Sequence, residues 1–192
     1  MMPRRSKLGS FSSSIVSSTG PAGMPAPPTC AIASCLVRAF VQEGRQSAKF
    51  AAKVKDINEF IDALGMIPPQ GRIEAAAAYH DACHLGHAQG ITAAPRRLLA
   101  RVPGLELREL PESGICCGSA GTYNLKEAEM SDRLARRKIE NVLATGARVV
   151  LASNAGCLLQ IQREVRLNRL PLLVMHPMDL LDLSYRGEPL PF

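Results

Sequence analysis

The sequence predicts an α/β fold in which helices flank a short, largely parallel sheet. From residue 72 onward, short apolar runs alternate with amphipathic helical segments, as in chains that wind helices around a parallel sheet. Cysteines follow three of the apolar runs, where loops leave the carboxyl ends of strands. With 192 residues, 46% of them hydrophobic, the chain can bury one substantial core and carry extensions.

Residues 1–45 differ in composition from the rest of the chain. They are rich in Ser, Pro and Gly, and the first acidic residue is Glu43. Too little patterned apolar surface is present to offset the entropy of ordering, so we expect a disordered segment. An organellar transit peptide or an aberrant start to a shortened gene would have the same composition.

Residues 46–71 are expected to form a helix and a linker. Apolar residues recur at helical spacing over 46–64, Gly65 is placed to end the helix, and 68–71 read as a turn. The third predicted unit, 72–192, contains the remaining elements. Its strands are predicted at 73–79, 105–110, 147–152 and 172–175, although four consecutive alanines make the first ambiguous with helix.

The predicted helices of this unit separate its strands. One begins at Pro95, a long one covers 127–144, another covers 157–168, and a short one runs from Pro177 to Leu181. In the long helix, the residues expected to face inward are Met130, Leu134, Ile139 and Leu143. The run Arg136, Arg137 and Lys138 is expected on its solvated face.

Four cysteines fall just beyond predicted strands: Cys83, Cys116, Cys117 and Cys157. Because open parallel sheets hold ligands at the carboxyl ends of their strands, we expect these thiols to meet around a metal. Four thiolates suit a [4Fe-4S] cluster. Zinc is the main alternative, although its structural ligands usually come in pairs spaced by two to four residues. A redox-active or catalytic thiol pair is the third hypothesis.

Small and polar residues near the cysteines are candidates for contacts with the cofactor. Gly118, Gly121 and Gly156 would let the backbone approach a bulky inorganic core and direct N–H groups at its sulfides. His80 and Asp81 are expected to orient the first cysteine loop. Asn154 could donate to the site or cap a helix, His84 and His87 are expected in solvent-facing or hydrogen-bonding roles, and His176 follows the last strand.

Charge and hydropathy exclude several classes of protein. A net charge of +6 is modest for this length, and later basic residues alternate with acidic ones, which argues against nucleic-acid binding. No run approaches the roughly 20 apolar residues that span a bilayer. Six cysteines in a chain with a sizeable core and no apolar signal segment favour reduced, metal-binding thiols in the cytoplasm over a disulfide framework.

Three motifs occur in order along the chain: YHDACHL at 79–85, PESGICCGSAGTYN at 111–124 and NAGCLLQ at 154–160. Together they resemble the cysteine-rich CCG domain of the bacterial glycolate oxidase (glycolate dehydrogenase) iron-sulfur subunit. The wider family includes the heterodisulfide reductase B subunit and lactate-utilisation proteins. In heterodisulfide enzymes a further cysteine lies three positions after the one matching Cys157. The residue here is Gln160, which favours an ordinary four-cysteine cluster, or weaker metal binding, over a five-cysteine cluster.

The resemblance implies an electron-transfer subunit whose partners are flavin-binding glycolate oxidase subunits, with no flavin on this chain. It also implies a cytoplasmic location, with any contact to the inner membrane made through partners. The ferredoxin-type cysteine run of that family does not occur in the sequence. We therefore expect a truncated member, a split gene or a misread start, with a ferredoxin-like protein or the missing half as a further partner. A non-redox zinc-binding or assembly module remains the alternative.

Overall fold

A four-stranded, fully parallel sheet forms the centre of the fold in a computed structural model of the protein, which describes residues 49–50 and 52–192. The strands are β1 (Ala75–His80), β2 (Leu105–Arg108), β3 (Val149–Ala152) and β4 (Leu173–Met175), in the order β2-β1-β3-β4. Ala77 pairs with Val149 and Ala75 with Leu105. The predicted α/β class and parallel sheet are confirmed, and the alanine-rich segment is a strand.

Six α-helices and one π-helical turn precede, connect and follow these strands in the described part of the chain. The π turn, His84–Ala88, directly follows Cys83. The α-helices are α1 (Ile57–Leu64), α2 (Ala93–Leu99), α3 (Tyr123–Lys126), α4 (Ala128–Thr145), α5 (Ala155–Leu167) and α6 (Pro177–Arg186).

Apolar residues on both faces of the sheet make a three-layer structure. Ala78 and Val150 point into one core with Ile139, Val142 and Ile161 of helices α4 and α5. On the other face, strand residues contribute to a second core with α2 and α6, whose members include Ala77, Tyr79, Val149, Leu151, Leu98, Leu99 and Leu180. Because both faces of the sheet are covered, the sequence of β3 is a continuous apolar run and does not alternate between apolar and polar residues.

The order of the strands creates a crevice at one edge of the sheet. β1 and β3 are neighbours, but the chain leaves β1 toward β2 on one side and leaves β3 toward β4 on the other. Such a reversal opens a crevice outside the carboxyl ends of the two strands, where α/β proteins bind ligands. Cys83 follows β1 and Cys157 follows β3, so the crevice lies between two of the predicted ligands.

Two local predictions are wrong. The helix expected over 46–64 is not continuous, because Asp56 is extended and caps α1, its side chain accepting from the Asn58 N–H. The inward face of α4 is also shifted. Met130 and Leu143 are exposed, and the residues buried on this helix are Ser131, Ala135, Lys138, Ile139 and Val142.

The predicted disordered segment, 1–45, lies outside the described residues. Gly65 and Gly146 end α1 and α4 in the left-handed conformation, as the sequence indicated. Among the described residues, no helix is both long and apolar enough to cross a lipid bilayer.

Candidate metal centre

Four free thiols meet at the carboxyl edge of the sheet. Each thiol in the series Cys83, Cys116, Cys117 and Cys157 is close enough to the next to shift a pKa within the pair, so the four sulfurs form one continuous row. Cys117 and Cys157 are buried, whereas Cys83 and Cys116 are half-buried. Three loops separated widely in sequence thus bring their cysteines together.

The turn that carries the cysteine pair directs backbone donors at the sulfurs. The Gly118 N–H donates to Cys116 Sγ at 3.3 Å, and the backbone of Ala120 also hydrogen-bonds this sulfur. The backbone of Ser119 hydrogen-bonds Cys117. Gly118 has φ +93, and a Cβ there would lie 2.5 Å from the Ser131 carbonyl oxygen, so the turn requires glycine.

Cys157 lies in the first turn of α5, which Asn154 caps. The Asn154 side-chain oxygen accepts from the Cys157 N–H at 3.1 Å. Asn154 therefore fixes the helix start that presents the thiol, and its carboxamide oxygen is used within the protein. A Cβ on Gly156 would lie 2.9 Å from Ser119 Oγ, so this glycine lets α5 approach the loop of the cysteine pair.

Crowding and burial raise the pKa values of Cys83, Cys116 and Cys117. The hydrogen bond with Cys117, followed by burial, raises the pKa of Cys116 above the normal range. Although its hydrogen bond with Cys116 lowers it, the contact with Cys157 and burial raise the pKa of Cys117 to about 12. Burial and the neighbouring Cys116 raise the pKa of Cys83. Four thiolates would repel one another here, and a bound cation is the group that relieves this repulsion.

His80 is the histidine that reaches the row of sulfurs. One of its ring nitrogens lies within 4.8 Å of both Cys117 Sγ and Cys157 Sγ, and these atoms lie within the same distance of each other. Burial, and then the charge of Lys138, lower the pKa of His80 to about 4, so the ring is neutral at pH 7. Nδ1 lies 3.0 Å from the Ser113 carbonyl oxygen and is therefore the protonated nitrogen. Nε2 is buried without a hydrogen-bond partner among the described residues.

Asp81 orients the first cysteine loop through an ion pair. Its carboxylate accepts from both terminal nitrogens of Arg96, at 2.7 and 2.8 Å, and its backbone N–H donates to the Ser113 carbonyl at 3.2 Å. Because Asp81 N and His80 Nδ1 share this acceptor, the loop after β1 is tied to the segment preceding the cysteine pair.

A buried polar chain links α5 to the cysteine turn. Gln160 Nε2 donates to Ser131 Oγ at 3.0 Å, and this hydroxyl donates to the Gly118 carbonyl at 2.9 Å. Gln160 lies one turn after Cys157, on the same face of α5.

Helix α4 also clamps the segment before the pair. Arg137 and Asn141 donate to the carboxylate of Glu112, and Lys138 Nζ donates to the Glu112 carbonyl oxygen. The expectation that Lys138 faces solvent is wrong, because the residue is only 1% exposed. It falls on the stripe of buried α4 positions with Ala135 and Val142, a spacing that the sequence already contained.

Other predicted residues make local contacts or lie in open space. Gly121 has φ +56 in open space. His176 caps α6 by accepting from the Met178 N–H. His87 Nε2 lies 3.0 Å from the Gly114 carbonyl oxygen, and burial lowers the pKa of His84. The residues that sequence reasoning missed are the supporting ones: Arg96, Glu112, Ser131, Lys138 and the bracing role of Gln160.

The donor set fits a thiolate-ligated metal group. Four adjacent thiols, backbone N–H groups directed at two of them, and a glycine that no other residue can replace are features expected around an iron-sulfur cluster. The crevice between β1 and β3 lies at the same edge.

The fold and the clustered thiols define a cysteine-rich α/β domain with a candidate metal centre. Residues 77–162, which contain all four cysteines, match the sequence profile of the CCG family, described as a cysteine-rich domain. This match and the relatives below support placing the domain in the CCG family.

Several similar proteins carry the name lactate utilization protein A. The one from Lysinibacillus sphaericus is 35% identical over 133 residues, covering 69% of this chain and 58% of its own length. Those from Halalkalibacterium halodurans and Bacillus subtilis are 31% and 32% identical over 138 residues, covering 71% of this chain and 57% and 58% of theirs. The chain thus spans a little over half the length of the curated relatives it matches.

Proposed function

We propose that this chain holds a [4Fe-4S] cluster on Cys83, Cys116, Cys117 and Cys157 and works as an electron-transfer component. The observation that carries the proposal is the continuous row of four thiols at the sheet edge, within a region that matches the CCG profile. Four cysteines are the usual complement for such a cluster.

When bound, a cluster would supply one-electron redox chemistry. The four thiolates bind it, and the N–H groups of the 118–120 turn lower the energy of negative charge on the sulfurs. Burial of Cys117 and Cys157 limits access of water on one side. The half-buried Cys83 and Cys116 form the side nearer to solvent, where a redox partner would approach.

The names of the relatives and the resemblance of the motifs favour a role in 2-hydroxy acid oxidation. In this proposal, flavin-binding subunits oxidise lactate or glycolate in the cytoplasm and pass single electrons to this chain. The remaining length of the relatives leaves room for a further redox module, such as a ferredoxin-like protein, as the acceptor.

Reduction by a flavoprotein tests this role. The reconstituted protein is mixed anaerobically with the flavin subunits of a lactate- or glycolate-oxidising complex, and visible absorbance is followed after either acid is added. We expect bleaching that depends on both the acid and the flavin subunits. Reduction by dithionite but by neither flavoprotein would contradict the proposed partners.

A zinc site is a second candidate, favoured by one observation. His80, Cys117 and Cys157 bring three ligand atoms within 4.8 Å of one another, close enough to surround a single ion. The unpartnered Nε2 of the neutral His80 ring has the lone pair that a metal ligand needs. In this arrangement the chain would be a non-redox assembly module.

Two substitutions distinguish the candidates. Cys83→Ala removes a ligand of the cluster but none of the trio around His80, and His80→Ala does the reverse. If the cluster proposal is right, Cys83→Ala abolishes iron binding and His80→Ala retains most of it. If zinc is the native ion, His80→Ala loses zinc whereas Cys83→Ala keeps it. Metal analysis of both purified proteins by mass spectrometry gives the answer.

A further inference from the structure

A lysine ammonium is buried beside the cysteine centre without an anionic partner. Lys138 is 1% exposed, and its Nζ donates to the neutral carbonyl oxygen of Glu112. It forms no salt bridge with any carboxylate among residues 49–50 and 52–192. Burial lowers the pKa of Lys138, because an ammonium buried without a carboxylate partner is unfavourable.

The two nearest carboxylates are already paired. Glu112 binds Arg137 and Asn141 through its side chain, and Asp81 is held by both terminal nitrogens of Arg96. Neither carboxylate accepts a hydrogen bond from Lys138, although the charges of both favour its protonated form.

The cysteines are the other groups that face this charge. Lys138 lies on the buried stripe of α4, and the adjacent Ile139 packs into the same core as Cys117 and Cys157. The charge of Lys138 interacts with Cys117 and Cys116. Four thiolates around an iron-sulfide core leave a net negative charge, which a cation buried in this place would offset.

We propose that the ammonium of Lys138 is the built-in counter-charge of the metal centre, so that it stabilises bound thiolates and favours the reduced state. Resting on the proposed cluster function, this inference deepens it by assigning control of the reduction potential to a residue that binds no metal. His80 is neutral at pH 7, and among the described residues Lys138 is the cation whose charge interacts with Cys116 and Cys117.

Matched variants separate charge from hydrogen bonding. Lys138→Gln keeps a donor for the Glu112 carbonyl but removes the charge, and Lys138→Met removes both. Arg136→Gln is the control, because it removes a positive charge from the exposed side of the same helix. Both Lys138 variants are expected to fold without metal at least as stably as the parent, since a buried charge has been removed.

The reduction potential is the first readout. The reconstituted proteins are compared by redox titration monitored by EPR. The equilibrium constant for reduction should be about tenfold less favourable in both Lys138 variants, which is the effect expected for removing one nearby charge at an effective dielectric constant of ~20. For a one-electron couple, this corresponds to a shift of about 59 mV to more negative potential. High salt should leave the shift in place, and Arg136→Gln should show little change.

Zinc affinity is the second readout and needs no cluster. If the parent protein assembles no iron centre, the proposed function fails, but Zn²⁺ titration against a chromophoric chelator still tests the counter-charge. Zn²⁺ held by the four thiolates also leaves net negative charge, so we expect about tenfold weaker zinc binding in both Lys138 variants and none of this loss in Arg136→Gln. The inference is overturned if the reduction potential and the zinc affinity of Lys138→Gln equal those of the parent protein, regardless of the result for Lys138→Met. It is equally overturned if Lys138→Gln does not fold without metal, because the ammonium would then be stabilising the fold itself.

Discussion

Gln160 donates from its side-chain amide to the hydroxyl of Ser131, 3.0 Å away. Ser131 in turn holds the carbonyl of Gly118, directly after the cysteine pair. Gln160 lies on the helix that carries Cys157, so this helix braces the turn of the cysteine pair through a buried amide.

Disrupting this brace should destabilise the protein. Gln160→Leu leaves the buried Ser131 hydroxyl without a donor, and the cost should be about 1–3 kcal/mol in the free energy of unfolding. Ser131→Ala should cost a similar amount. In chemical denaturation of the metal-free proteins, the double variant should lose less than the sum of the two, whereas full additivity would mean that the residues act independently.

Gly118 should tolerate no side chain. Gly118→Ala places a Cβ 2.5 Å from the Ser131 carbonyl oxygen at a positive φ, so we expect loss of metal binding and a lower melting temperature. Gly121→Ala is the control, because its φ is also positive but the space around it is open. It should show only the conformational cost, about 1–3 kcal/mol. Equal effects of the two substitutions would argue against a steric requirement at Gly118.

The cap at Asn154 should set the stability of α5. Asn154→Ala removes the acceptor of the Cys157 N–H and should cost about 0.5–2 kcal/mol, measured by denaturation of the metal-free protein. Asn154→Ser, which retains a capping oxygen, should restore most of this loss. If serine is no better than alanine, the side chain has another role, such as donation to the cofactor.

The ion pair of Asp81 with Arg96 should make stability depend on pH. Although burial alone would raise it, the bidentate bond to Arg96 lowers the pKa of the Asp81 carboxyl. The pKa of the Asp81 carboxyl is lower in the folded protein than in the unfolded chain. The ion pair therefore contributes its full stability at pH values above the unfolded-state pKa, and this contribution is lost as the pH falls through the folded-state pKa. Asp81→Asn should therefore cost about 1–3 kcal/mol at pH 7.

The difference in unfolding free energy between Asp81→Asn and the parent protein should disappear at acidic pH. Denaturation measured at a series of pH values tests this expectation. Glu106→Gln breaks an ion pair with Arg108 at the surface and should have no measurable effect at any of these values. A penalty for Asp81→Asn that does not change with pH would contradict the assignment.

The sequence predicted the sheet and the meeting of the cysteines for a physical reason. Continuous apolar runs such as Val149–Ala152 belong to strands covered on both faces, and residues that follow parallel strands share one edge. Cys83 and Cys157 could therefore be placed near each other without knowledge of their side-chain contacts.

The supporting residues could not be predicted in the same way. A solvated position is the usual expectation for a lysine, and the spacing of Lys138 with Ala135 and Val142 is the one sequence signal of its burial. The helix over 46–64 is predicted to begin too early, because the apolar periodicity starts before Asp56, whose side chain caps the first turn of α1. The first error concerns a tertiary contact and the second a local cap.

Iron and sulfide analysis combined with EPR tests the central claim most directly. The protein is reconstituted anaerobically with iron and sulfide, beside a Cys116→Ala variant that lacks one thiol of the row. We predict about four iron and four sulfide ions per parent chain, with an EPR signal in one redox state, and no stable cluster in the variant. A parent protein that binds zinc but remains colourless and free of iron after reconstitution would contradict the account.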